Sequence, residues 1–108
     1  MDIITCYGVT DHHIIIPLKE INRIGHGEFT QIETEISGKS NEYMECHHKF
    51  YFKEMWLDED GLPDKGNVFV NKADAIKYAL KKAKEEIKMK TEALNAIKRQ
   101  VVKLKADS

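Results

Sequence analysis

The sequence predicts an α+β fold: a small four- to five-stranded antiparallel sheet, followed by one long C-terminal helix that is heptad-patterned and oligomerising. Three observations carry this. Residues 71–105 contain neither Gly nor Pro and are built mostly of Ala, Lys, Glu, Ile and Leu, largely strong helix formers. Apolar residues there recur at alternating spacings of three and four, a heptad pattern. Before residue 71, short runs rich in β-branched and aromatic residues are separated by Gly, Asp and Asn, which is the pattern of strands and turns.

In chain order, residues 2–9 alternate well enough for a strand, and Ile14-Ile15-Ile16 is β-branched throughout. Thr10-Asp11-His12-His13 between them reads as a hairpin turn. Pro17, which has no N–H, ends the second strand or sets it at a sheet edge. Residues 18–24 show no clear alternation and are expected as a short helical turn or an irregular link, with Gly25-His26-Gly27 as a flexible corner. Residues 29–37 alternate cleanly, with Thr30, Ile32, Thr34 and Ile36 inward and Gln31, Glu33 and Glu35 toward solvent.

After the turn Gly38-Lys39-Ser40-Asn41, residues 43–57 are expected as the longest strand. Met44, Cys46, His48, Phe50, Phe52 and Trp56 would share its core face. Residues 58–67 are rich in breakers and form a loop. Val68-Phe69-Val70 makes a last short strand that runs straight into the helix.

Asn71-Lys72-Ala73-Asp74 places an N-cap and an acidic first turn at the helix start. Ala73, Leu80, Ile87, Leu94 and Val101 occupy a; Ile76, Ala83, Lys90, Ile97 and Leu104 occupy d. Ala75, Ile76, Ala79, Leu80 and Ala83 are expected to pack on the sheet. A helix of this span is roughly 50 Å long, whereas the preceding residues make a domain of only ~11 Å radius of gyration. The distal seam therefore needs a second subunit, or else the chain folds back near Lys90–Thr91. The lack of a turn residue there favours a homo-oligomer through the C-terminal helix. Lys90 snorkels out of the seam along its aliphatic stem or fixes register. The organisation is thus a sheet domain over residues 1–70 and a helix over 71–108.

Charge is divided. Residues 71–108 hold eleven Lys/Arg against five Asp/Glu, net +6, and residues 1–70 hold six against thirteen, net −7. Ile14-Ile15-Ile16 is as long as any uninterrupted apolar run, so no membrane span is expected. The start lacks the pattern of a signal peptide, which points to the cytoplasm with Cys6 and Cys46 reduced.

Catalytic patterns are missing. No Gly-x-Ser-x-Gly elbow surrounds Ser37 or Ser40, and Gly25-His26-Gly27 lacks the third glycine of a dinucleotide loop. Cys6, His12, His13, Cys46, His47 and His48 hold zinc-ligand chemistry without a Cys-x-x-Cys knuckle. The expectation is therefore a binding protein that is not an enzyme and has no cofactor or metal. Its ligand residues would be Arg23, whose guanidinium suits phosphate, His26 and Gly27 beside it, where backbone amides can approach an anion, and Arg99 from a neighbouring subunit.

An acidic sheet joined through Val68-Phe69-Val70-Asn71-Lys72-Ala73-Asp74-Ala75 to a Lys-rich helix resembles small phage anti-defence proteins, namely the anti-Thoeris sponges and anti-CRISPR proteins. The resemblance is one of overall plan and carries over no site residue. It implies a host-cell setting and sequestration of a small cyclic nucleotide between subunits. Two alternatives stand beside that reading. One is an inhibitor that presents Glu33, Glu35, Glu45, Asp58, Glu59 and Asp60 to a basic host defence protein. The other is a DNA-binding regulator that uses the basic helix.

Overall fold

A computed structural model describes residues 3–107; Met1, Asp2 and Ser108, at the outer ends of the expected first strand and helix segment, lie outside the described residues. Five antiparallel strands form one curled sheet: β1 (Thr5–Val9), β2 (Ile15–His26), β3 (Phe29–Ile36), β4 (Glu54–Leu57) and β5 (Val68–Phe69), in the order β4-β3-β2-β1-β5. Two helices join them: α1 (Glu42–His47), which continues into a π-helical turn (His48–Phe52), and α2 (Lys72–Ala106). The α+β class read from the sequence, an antiparallel sheet followed by one long C-terminal helix, is the one observed.

The β1–β2 hairpin closes at Thr10. Its N–H donates to the Ile14 carbonyl, and its hydroxyl accepts from the His12 and Ile14 amides at 3.2 and 3.1 Å. His13 completes the turn with φ of 65°, a left-handed conformation that histidine adopts more readily than most side chains.

Two expectations change in β2. Residues 18–24 are not a link but the middle of a twelve-residue strand, paired from Leu18↔Ile36 to His26↔Phe29. A bulge between Glu20 and Asn22 makes Ile21 the extra, exposed residue, and this hides the strand's alternation. Gly25 and His26 are strand residues, and the turn falls at Gly27, with φ of 65°. Pro17, expected to end this strand or set it at an edge, instead lies inside β2, the central strand, opposite Tyr7; its carbonyl accepts from the Ser37 amide just past the end of β3, so its missing N–H costs only the last rung.

The expected long strand over residues 43–57 is the main correction. Asn41 caps α1 by accepting from the Met44 amide at 2.9 Å, and Glu42 and Glu45 occupy the first turn. From Asn41 to Leu57 there is no Val, Ile or Thr to favour a strand. Only the last four residues pair with β3, with Ile32 opposite Met55. The extra residue per turn of the π segment resets the phase, so Met55 and Leu57 are buried while Trp56 faces out. Cys46 and Phe50, expected in the core, are exposed.

The core lies on one sheet face, where Cys6, Ile16, Leu18, Ile32, Met55, Leu57 and Val68 pack around Phe52. Thus α1 and its π turn, not the long helix, cover the main apolar face. Burying Phe52 contributes roughly 1.5–3 kcal/mol. Burial also pushes the Cys6 thiol up to about 11. The opposite face is covered only at its β1–β5 end, where Ala75 and Ala79 of α2 sit on Val9, flanked by Tyr7, Ile15, Phe69 and Tyr78. Ile76 and Leu80, expected to pack here, are exposed. The alanines allow close approach, and β5 runs into Asn71, which caps α2 by accepting from the Ala73 amide at 2.8 Å.

The helix continues far beyond this contact. The molecule measures 70 × 30 × 24 Å with a radius of gyration of 19.6 Å, against ~13 Å for a compact chain of this size.

Two measurements check this packing. A Cβ on Gly8 would meet the Phe52 ring at 2.8 Å, so Gly8→Ala should destabilise by about 1–3 kcal/mol in urea unfolding. In the native protein a thiol reagent should modify Cys46 promptly and Cys6 only on unfolding, because Cys46 is exposed and Cys6 buried.

Candidate functional site: an acidic aromatic cleft beside the β2–β3 hairpin

A cleft of about 980 Å³ opens where the β2–β3 hairpin meets β4 and the loop after it, lined by Glu28, Phe29, Thr30, Trp56, Leu57, Asp58, Glu59, Asp60 and Asp64. Trp56 and Phe29 are 47% and 64% exposed and meet edge to face, with ring centroids 6.3 Å apart. His26 packs on the same tryptophan at 5.3 Å, and its imidazole shares a 3.2 Å hydrogen bond with Gln31. Two large aromatic surfaces therefore lie open to water among five carboxylates.

The acidic wall is built by one of its own members. Asp58 accepts from the Asp60 and Leu62 amides at 2.9 and 3.0 Å, and Gly61, at φ of 76°, turns the chain back. The Asp58 N–H donates to the Leu62 carbonyl, and the Asp64 N–H donates to the Trp56 carbonyl. The loop is thus folded onto β4, which keeps Glu59, Asp60 and Asp64 at the cleft. None of the five carboxylates enters an ion pair with another of the described residues.

The residues expected from the sequence are not gathered into one site within the chain. Arg23 lies in β2, where Nη2 and Nε donate to the Glu20 carboxylate at 2.7 and 3.0 Å. That carboxylate is buried and also accepts from the Ile4 amide at 3.1 Å. The Arg23 hydrogen bond holds Glu20 below the usual carboxylate range and raises the arginine in turn. Arg23 is therefore already committed to an anion of its own chain. His26 and Gly27 stand beside the cleft, in an acidic setting opposite to the one an anion would need. Arg99 is exposed on α2, roughly 20 Å past Glu86 at ~1.5 Å per residue.

The cluster of Cys and His is dispersed as well. Cys6 is in the core and Cys46 is exposed. His48 shares a 3.0 Å hydrogen bond with the Thr34 hydroxyl, while His47 stacks on Tyr43 and His12 meets the same ring at a tilt. Among the described residues no group of three or more His, Cys, Asp or Glu could hold a metal ion.

A second cleft, of about 690 Å³, lies between the Thr10–Ile14 turn, Asn67 and the middle of α2. Across it His13 is joined to Glu86, which also accepts from Lys90 at 2.7 Å. Lys90 and His13 together pull the Glu86 carboxyl down to about 2.

The Glu20–Arg23 pair has a measurable sign. A folded-state pKa below the ordinary 4.5 contributes stability at higher pH and loses it as pH falls through the folded value. Arg23→Met leaves Glu20 buried without its cation and should cost about 1–3 kcal/mol at pH 7. That gap should narrow in acid, as Glu20 is protonated, when urea unfolding is followed against pH.

Compared with protein-family models, with curated proteins and with solved structures, the chain matches none.

Proposed function

We propose that the protein is a non-enzymatic binding protein whose head takes a cationic segment of a protein partner, rich in Lys or Arg, in the Trp56–Phe29 cleft. The observation that carries this is two exposed aromatic rings set among five carboxylates. An ammonium or guanidinium group placed over an aromatic face within ~6 Å is attracted to it, and the carboxylates complete its coordination. The head's net charge of −7 adds long-range steering toward a basic surface. The cleft has no histidine, cysteine or lysine in its lining, and its hydroxyl, Thr30, has no hydrogen-bonded base among the described residues. The arrangement suits recognition rather than bond cleavage.

This reading takes the inhibitor alternative over nucleotide sequestration. Phosphate binding by Arg23 would first have to break its two hydrogen bonds to Glu20. In the setting of a phage anti-defence protein, the partner would be a host protein with a basic, nucleic-acid-handling groove.

Trp56 is the chain's single tryptophan, so its emission reports on this cleft alone. Titration with a Lys/Arg-rich peptide should quench or shift that emission, with an affinity that falls as salt is raised. Trp56→Ala should weaken binding by about 2 kcal/mol, the scale of an interface hot spot, when binding is followed by calorimetry. Combined Glu59→Gln, Asp60→Asn and Asp64→Asn should weaken it further; Asp58 is left intact because it shapes the loop. An emission unchanged by every basic peptide, or an affinity unaffected by the triple substitution, would end this reading.

A further inference from the structure

The a/d seam of α2 is separate from the surface that packs on the sheet. The sheet-facing residues Ala75, Tyr78 and Ala79, with Glu86 beyond them, lie on one side. At ~100° per residue, Ile76, Leu80 and Ala83 are centred roughly 110° around the helix from them. Their seam continues through Ile87, Leu94, Ile97, Val101 and Leu104, which are 65, 51, 60, 43 and 60% exposed. The head therefore leaves the apolar stripe open along its whole length, not only beyond the domain.

We propose that a second copy of this chain covers this stripe, in a parallel, in-register, two-stranded coiled coil that sets both heads at the same end. Four features fix the occupant and its orientation. A seam ~50 Å long and ~10 Å wide offers on the order of 500 Å² per helix, so a pair buries about the 1,000 Å² expected of a specific interface. In a parallel pair each g residue faces the partner's e residue five positions on, so Ala79, Glu86, Ala93 and Gln100 meet Lys84, Thr91, Lys98 and Lys105 without like charges, and only Lys72 and Lys77 at the helix start set lysine against lysine. In an antiparallel pair e faces e, which sets lysine against lysine.

Lys90 supplies the third feature. Its ammonium is drawn sideways to Glu86 at 2.7 Å, so only its aliphatic stem need lie over the seam. Two strands leave room for that exit at the flank, whereas a trimeric or tetrameric core would enclose it. Fourth, the head packs to one side of the seam, over Ala75 and Ala79, and leaves Ile76 and Leu80 exposed at 42% and 54%, so a partner helix can approach from the open side.

The test uses the full chain and does not depend on what the cleft binds. Sedimentation equilibrium should give twice the 12.5 kDa chain mass. Leu94→Asp with Ile97→Asp should return it to the single-chain mass with the near-ultraviolet signal of Trp56 unchanged. In a Cys46→Ser background, Leu104→Cys should form an intermolecular disulfide under mild oxidation, since a parallel register sets residue 104 against its own copy. A single-chain mass for the native protein overturns the proposal, as does a trimer or tetramer. A dimer that survives both aspartates, or one in which residue 104 does not cross-link, overturns the seam or its parallel register.

Discussion

The contact on which the head depends is Phe52 against Gly8. The phenylalanine is fully buried, and its ring lies so close to β1 that no side chain larger than hydrogen fits at Gly8. Thr34 secures the same point from β3: its hydroxyl donates to the Phe52 carbonyl at 2.7 Å, and its amide donates to the Lys53 carbonyl at 2.8 Å. Anchoring the end of the π turn in this way fixes the phase of the strand that follows. Met55 and Leu57 turn inward and Trp56 turns out. The aromatic surface of the cleft is thus a geometric result of how a core residue one turn earlier is held.

Much of this was legible in the sequence where one periodicity acts alone. β3 alternates without interruption, the Thr10–His13 turn separates two β-rich runs, and α2 has a cap, no breakers and a sustained heptad. The misreadings fall where two patterns overlap. Residues 43–57 satisfy period two on paper, but they lack β-branched residues and begin with a capping Asn41, signals that favour a helix. Residues 18–24 fail period two only because a single bulge residue, Ile21, interrupts it.

The site was legible in its charge and not in its shape. Asp58, Glu59 and Asp60 mark an acidic surface in the sequence, but period-two alternation over residues 43–57 puts Trp56 in the core. In the sequence Arg23 suits an anion, and nothing local shows that Glu20, across a bulge in the same strand, is buried and needs it. Composition signals the presence of charges; pairing is decided by the fold.

The helix also works as a lever. Its hold on the head ends near His13 and Glu86, and the twenty residues from Ile87 to Ala106 are all exposed in the single chain. That arm is about 30 Å long, so a tilt of ~10° at the head moves its tip by ~5 Å, close to one helical turn. Run in reverse, the same ratio means that a modest lateral pull on the tip acts with magnified torque on a single carboxylate shared by one histidine and one lysine.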